Sequence, residues 1–158
     1  MFREMRRYKQ QIDREECVKV LKTEKRGVLS LIGDDGYPYG IPMNHFYDEK
    51  ENKIYFHGAK TGHKIDALNR CKKCCYTVFD HGYRKDGEWS LNVKSVVVFG
   101  TIKVVTSEEK MRQICTDLCR KFTDDEEYLK QELEHALPRV QCLELTPDHM
   151  TGKLVNES

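Results

Sequence analysis

The sequence lacks an excess of one charge, a long apolar run and a secretory leader. Lysine and arginine number 27 against 26 aspartate and glutamate residues, and the net charge of +1 predicts no affinity for nucleic acid or an anionic membrane. No apolar run approaches the roughly 20 residues that span a bilayer. The N-terminal stretch MFREMRRYKQQ is basic, but no apolar segment follows it, so it is not a secretory signal. We therefore expect a cytoplasmic protein.

Internal repeats, low-complexity tracts and proline-rich linkers are also missing. A chain of 158 residues without such boundaries predicts a single domain over residues 1–158. The dinucleotide fingerprint GxGxxG, the P-loop, the HExxH zinc motif and the GxSxG hydrolase motif do not occur. Strict alternation of strands and helices is absent as well, which argues against a doubly wound parallel sheet.

Cysteine is plentiful, but its arrangement does not predict a metal. The seven cysteines are odd in number and no secretory signal precedes them, which indicates reduced thiols. They are densest at Cys71–Lys–Lys–Cys74–Cys75. A zinc site needs four ligands, commonly from two such pairs, and the chain has no second CxxC. We expect no metal site, and we expect Cys74 or Cys75 to be a small core residue.

Hydrophobic periodicity and turn residues predict antiparallel strands with short turns and a few peripheral helices, arranged as a small barrel. The predicted strands cover residues 28–32, 37–47, 53–57, 75–79, 90–105 and 140–145. The predicted helices run from the capping box at 13–16 to Gly27, over 63–70, from Ser107 onward, and over 126–137. A hairpin turn is expected at Asp34–Asp35–Gly36.

The stretch IYFHGAKTGHKIDAL, residues 54–68, joins a strand to a helix through a loop of small residues. A helix start presents free backbone N–H groups and a positive dipole end, and glycine lets a ligand approach the backbone closely. Lys60 and Lys64, four residues apart, add two positive charges on one side. These features suit a phosphate. A solvated lysine pair after a turn accounts for the same residues.

The segment GYPYGIPMNH, residues 36–45, is a strand with two prolines. Because proline cannot donate a hydrogen bond to a neighbouring strand, such a strand belongs at a sheet edge, a bulge or a ligand-facing rim. Pro42, Met43 and Asn44 are therefore candidates for the wall of a site for a planar ligand. The alternative is a plain edge strand whose prolines discourage aggregation.

Several motifs occur here in the order found in one known family. They are MRR, GxPYxxPMNxxYD, IYFHGAKxGxKIDAL, KSVVVFGxIxVV and MTGK, and together they extend over nearly the whole chain. In this order they resemble the FMN-binding split-barrel proteins related to pyridoxamine 5′-phosphate oxidase, nearest to the nitroimidazole-resistance or nitroimidazole-reductase branch. The resemblance implies a mainly β fold with peripheral helices, an FMN-binding split β-barrel.

The resemblance also implies which residues bind FMN. Pro42, Met43 and Asn44 would line the isoalloxazine ring, and the 57–64 loop would hold the ribityl chain and phosphate. Within that loop Lys64 matches a phosphate-binding lysine, and His63 would be a weaker anion contact. Lys94 and Ser95 would reach the phosphate from a second subunit. The loop residues are His57, Gly58, Ala59, Lys60, Thr61, Gly62, His63 and Lys64.

His57 is the catalytic candidate, because it matches a histidine proposed to act near the flavin ring. Its imidazole either donates a proton or hydrogen bond to the substrate or only packs against the ring. The Thr151–Gly152–Lys153 segment matches a motif near the cofactor. Val93 replaces a tyrosine of many relatives, and the C-terminal tryptophan and arginine signature of true pyridoxamine phosphate oxidases is missing, so that activity is not expected.

The activity implied is that of a homodimer with FMN at its interface. Electrons would pass from NAD(P)H through FMN to a small electron-poor acceptor, such as a nitroimidazole, another nitroaromatic or a quinone. The alternative is a non-catalytic flavin- or haem-binding protein of the same fold. The run Ser95–Phe99 is apolar on both faces, as expected of a strand buried between subunits or of an interior barrel strand.

Overall fold

The computed structural model describes residues 1–157, in which eight strands form one curled antiparallel sheet with four helices around it. The spatial order of the strands is β3-β2-β6-β7-β8-β5-β4, and β1 pairs with the far part of β8. The strands are β1 Gln11–Ile12, β2 Arg26–Ile32, β3 Pro38–Asn44, β4 Phe46–Asp48, β5 Lys53–Ala59, β6 Lys73–Phe79, β7 Leu91–Val104 and β8 Val140–Glu157. The helices are α1 Arg14–Thr23, α2 His63–Arg70, α3 Glu108–Arg120 and α4 Glu126–Ala136. The predicted mainly β class with peripheral helices is confirmed.

The first helix begins where the capping box predicts, because the Asp13 side chain accepts a hydrogen bond from the Glu16 backbone N–H at 2.8 Å. It ends at Thr23, so the prediction that Gly27 terminates it is wrong. Gly27 lies inside β2, where a Cβ atom would stand 2.4 Å from the Thr77 carbonyl oxygen. The glycine is there because two strands approach closely, and not because a helix ends.

The predicted strand over residues 37–47 is two strands, β3 and β4, separated at His45. The chain changes partners there, since β3 pairs with β2 and β4 pairs with β5. The His45 ring lies in the core, with its Nε2 atom 2.7 Å from the Leu21 carbonyl oxygen. The predicted strand over 140–145 is much longer and reaches Glu157. A β-bulge between Phe99 and Gly100 lets β8 continue alongside β7 past Pro147.

The core lies in two places. The larger cluster fills the inner face of the sheet under α1 and α2, and the smaller one packs α3 and α4 against β5 and β8. On β7, Val96 and Val98 are fully buried, whereas Phe99 on the opposite face is 40% exposed. This strand is therefore interior to the sheet, with one face in the core. Cys74 is buried, which confirms one of the two predicted core cysteines.

Residues 1–157 hold neither a metal-binding cluster nor a membrane-spanning helix. No cluster of three or more histidine, cysteine, aspartate or glutamate side chains is placed to hold a metal ion. No helix in this range combines the length and the apolar character that crossing a bilayer requires.

Candidate functional site

The wall segment Pro42–Asn44 lies at one edge of the sheet. Strand β3 pairs with β2 alone, which confirms that the two prolines occupy an edge strand. Successive side chains point to opposite faces, so Met43 is buried toward the interior and Pro42 is exposed outside. Beyond this edge the sheet is open, because β5 pairs with β4 and β8 and makes no ladder with β3.

Strands β3 and β5 and helix α2 meet at Lys64. Its Nζ atom lies 3.8 Å from Met43 Sδ. A Cβ atom at Gly58 would stand 2.4 Å from the same Nζ, so a larger residue at this position would displace the end of the lysine side chain. Three residues of the predicted site, Met43, Gly58 and Lys64, are therefore brought together from separate elements.

The Lys64 ammonium has no ionic partner within the described residues. None of the ion pairs over residues 1–157 includes it, although the side chain is half-buried. Partial burial removes water from the ammonium and lowers the pKa of Lys64. A desolvated cation beside a thioether is poorly satisfied, since sulfur of this kind is only a weak acceptor. An anion would supply the missing partner.

The start of helix α2 adds neutral donors beside this cation. Gly62 precedes the helix with a φ of +116°, a conformation that favours glycine, and it offers no side-chain cap. The first helical bond runs from the Asp66 N–H to the Gly62 carbonyl at 3.1 Å. The backbone N–H groups of the helical residues before Asp66 therefore have no acceptor within the helix. Lys60 and Thr61 complete the loop and are exposed.

His63 is held by neighbours that the sequence pattern did not indicate. Its ring stacks on Tyr39 at a centroid distance of 3.9 Å, and its Nε2 atom lies 3.6 Å from Asp34 Oδ2. Arg70, at the other end of α2, donates to Asp34 Oδ1 at 2.7 Å. The β2–β3 turn is thus tied to both ends of α2. A contact across 36 residues leaves no periodic signal in the sequence.

His57 lies on the opposite face of β5 from Gly58 and is exposed. Desolvation by the surrounding protein lowers its pKa below the ordinary histidine value, and the nearby Lys64 ammonium lowers it further. Glu132 on α4 acts in the opposite direction and more weakly. The imidazole is therefore neutral at pH 7, with one nitrogen able to donate and the other able to accept a hydrogen bond. Ala59 follows on the same face and is exposed.

Lys94 and Ser95 do not join this group of residues within one chain. Ser95 is opposite Lys153 on β8, whereas His57 is opposite Cys142, eleven positions away along that strand. The Lys94 ammonium forms an ion pair and hydrogen bond with Glu16, which raises the pKa of Lys94. The Thr151–Gly152–Lys153 segment belongs to the same distant part of the sheet as Ser95.

A buried hydrogen-bond network supports the wall from behind. The Tyr76 hydroxyl lies 3.0 Å from the Met43 carbonyl oxygen and 2.8 Å from His45 Nδ1. Lys121, at the end of α3, donates to the carbonyl oxygens of Glu24 at 2.6 Å and His45 at 2.8 Å. His45 is thus a core histidine with both ring nitrogens in hydrogen-bond contact. Tyr76 and Lys121 had no motif to mark them.

The curled antiparallel sheet, open at the edge where Lys64 and the uncapped helix start lie, is the arrangement of a split β-barrel. The model for the pyridoxamine 5′-phosphate oxidase family matches residues 13–154. The chain therefore belongs to this family, as its motif order predicts. No curated protein sequence matches the chain.

Solved structures show the same fold. A candidate 5-nitroimidazole antibiotic resistance protein from Bacteroides thetaiotaomicron has a TM-score of 0.78 at 22% identity, over 92% of this chain and 87% of that one. An FAD-binding protein from Mesorhizobium loti has a TM-score of 0.67 at 20% identity, over 92% of this chain and 97% of that one. An FAD- and haem-binding protein from Mycobacterium smegmatis has a TM-score of 0.73 at 22% identity, over 94% of this chain and 74% of that one. The predicted split-barrel fold is confirmed.

Proposed function

We propose that the protein binds FMN and acts as an oxidoreductase that takes electrons from NAD(P)H and delivers them to a small nitroaromatic or quinone acceptor. The observation that carries this proposal is the half-buried Lys64 ammonium, which has no carboxylate partner in residues 1–157 and lies beside the uncapped start of α2. Flavin-binding proteins among the structural relatives support it. A bound flavin would supply the hydride and electron chemistry.

The proposed binding roles follow from the positions of the side chains. Lys64, Lys60 and the first N–H groups of α2 would hold the phosphate, because full charges and aligned peptide dipoles reinforce each other there. The edge-strand residues Pro42, Met43 and Asn44 would line the ring through backbone groups that no neighbouring strand uses. His63 and Thr61 border the same loop.

Replacing Lys64 by alanine is expected to weaken FMN binding about 10- to 150-fold, because a charge-assisted hydrogen bond contributes about 1.5–3 kcal/mol. Riboflavin, which has the ring but no phosphate, should bind wild type and variant equally. Flavin fluorescence titration measures both. Lys72→Ala removes an exposed lysine just before β6 and serves as the matched control. Unchanged FMN affinity in Lys64→Ala would remove this residue from the phosphate site.

We propose further that the active form is a homodimer. Ser95, Val97 and Phe99 share the outer face of β7. Beside them the Phe2 ring stacks on His149 at a centroid distance of 4.7 Å and contacts the Phe99 ring at 5.5 Å in a tilted arrangement. An exposed aromatic patch of this kind suits a second copy of the chain. Such a partner would bring Lys94 and Ser95 to the phosphate of the other subunit, after the part-exposed Lys94–Glu16 pair opens.

His57 is proposed to interact with the substrate through its neutral imidazole. His57→Ala is expected to lower kcat at least tenfold while changing the FMN dissociation constant less than threefold, because the ring faces away from Met43 and Gly58. Steady-state NAD(P)H oxidation measures kcat, and flavin titration measures the FMN dissociation constant. Equal losses in both would mean that His57 only packs against the flavin.

The purified protein tests the proposal as a whole. We expect a yellow solution with flavin absorbance, NAD(P)H-dependent bleaching without oxygen, and recovery of the colour on adding a nitroimidazole or a quinone. Flavin binding without bleaching would favour the non-catalytic carrier. Haem absorbance without flavin would favour the haem-binding alternative, and failure to bind either cofactor would overturn the proposal.

A further inference from the structure

A groove of about 660 Å³ opens on the outer face of the sheet, beside the wall strand. It lies where the ladder between β2 and β6 ends, because their pairing covers Val28 to Ser30 only and the start of β2 has no paired residue on β6. Val28, Pro42 and Phe79 form an apolar floor, and the Phe79 side chain is 60% exposed. This volume lies within the range of about 300–1,000 Å³ typical of small-molecule sites.

The rim of the groove is positively charged on one side. Lys25 and Arg26 line it, and neither takes part in an ion pair within residues 1–157. The Lys25 ammonium lies 5.1 Å from the centroid of the Phe122 ring, in a cation–π contact. Arg26 is therefore the rim cation that is more available to a ligand. On the other side, His81 Nδ1 lies 3.5 Å from Glu24 Oε2, which belongs to the one carboxylate of the lining.

The backbone of this rim is fixed before any ligand binds. The Glu24 carbonyl accepts a hydrogen bond from Lys121 Nζ at 2.6 Å, and the Lys25 carbonyl accepts one from the His45 N–H at 3.1 Å. Gly27 is wedged against the Thr77 carbonyl oxygen. Because these hydrogen bonds already hold the backbone at Glu24 and Lys25, a ligand would not have to order it. Binding would therefore cost less conformational entropy than binding to a flexible rim.

We propose that this groove binds a planar aromatic molecule that carries a carboxylate, with the ring on the apolar floor and the anionic group at Arg26. A guanidinium suits this role, because it can pair with a carboxylate through two hydrogen bonds and can stack on a flat ring. Pro42 belongs both to the groove and to the wall. If the proposed function holds, the ligand therefore lies beside the flavin ring and belongs to the class of electron acceptors.

The test compares two nitroaromatics that differ only in charge, 4-nitrobenzoate and its methyl ester. Binding to the flavin-free and to the FMN-supplemented protein is measured by calorimetry or by saturation-transfer NMR. We expect the acid to bind at least tenfold more tightly than the ester. Arg26→Gln should abolish this preference, whereas Arg112→Gln, at an exposed arginine on α3, should keep it. Phe79→Ala should weaken both compounds, since it removes the floor and leaves the charge.

Equal affinity for the acid and the ester, or an unchanged preference in Arg26→Gln, would overturn the proposal. So would mutually exclusive binding of 4-nitrobenzoate and FMN, which would mean that the groove is the site of the flavin ring. Binding to the flavin-free protein is judged separately from FMN binding. Failure of the flavin proposal therefore leaves the groove testable, and failure of the groove leaves the flavin proposal standing. Arg26 and Phe79 are both exposed, so neither variant is expected to unfold.

Discussion

Acidification from about pH 6.5 to pH 4 is expected to cost the folded protein about 3 kcal/mol of stability through His45 alone. Burial lowers the pKa of His45 from 6.5 to about 4, and the nearby Lys121 ammonium contributes to the shift. Between these two values the unfolded chain binds a proton at His45 and the folded protein does not. The free energy of unfolding therefore falls as pH falls through this window. Above pH 6.5 the residue is neutral in both states and has no effect.

The neighbours of His45 explain why the neutral ring is preferred. Nε2 donates to the Leu21 carbonyl, which leaves Nδ1 as the acceptor for the Tyr76 hydroxyl at 2.8 Å. The positive Lys121 side chain is bonded to the backbone carbonyl of His45 itself. A proton on Nδ1 would make this nitrogen a donor, so that the Tyr76 hydroxyl would accept there and donate to the Met43 carbonyl instead. The cost of protonation therefore comes from placing a charge in the core and a second cation near Lys121.

Urea denaturation of wild type and His45→Asn between pH 7.5 and 4 measures this effect. The variant is expected to be less stable at pH 7.5, and the difference between the two proteins should shrink by about 3 kcal/mol toward pH 4. His81→Asn is the matched control for a histidine outside the His45 network, because that side chain is 96% exposed. Parallel profiles for wild type and His45→Asn would show that His45 is not held neutral by the fold.

Short sequence patterns predicted a helix, a turn or an edge strand correctly where residues close in sequence determine that element. The capping residue Asp13 set the start of α1, the turn at 34–36 joined β2 to β3, and helix α2 covers residues 63–70 as expected. Prolines placed β3 at the edge of the sheet, because they cannot serve an interior ladder. These features depend on neighbours in sequence, which a single chain displays directly.

The errors have one physical origin, which is contact between distant segments. Gly27 signals a helix end in sequence, but Thr77 on another strand determines its place. Strand β8 continues beyond 145 because β7 offers partners along its whole length. For the site, loop chemistry indicated Lys64, whereas the Asp34–Arg70 and Tyr76–Met43 contacts join residues more than 30 positions apart. Such pairs become visible only when the sheet has been assembled.

Replacing Phe56 by alanine is expected to destabilise the protein by about 3–5 kcal/mol, the usual cost of removing a buried phenylalanine. The Phe56 side chain is fully buried and packs edge-on against the Tyr76 ring at a centroid distance of 4.9 Å. The alanine variant loses this contact and leaves a cavity under the wall strand. Denaturant unfolding followed by fluorescence or circular dichroism measures the loss.

His57→Ala, one position further along β5, is the matched control and should change stability by less than about 0.5 kcal/mol. The two side chains point to opposite faces of the same strand, so only the first contributes to the core. A large loss of stability in His57→Ala would show that the imidazole is a packing residue, and a loss in Phe56→Ala of under about 1 kcal/mol would contradict the register of β5. With the expected pair of results, a loss of turnover in His57→Ala cannot be attributed to unfolding. If FMN affinity is also unchanged, the loss is assigned to the interaction of the imidazole with substrate.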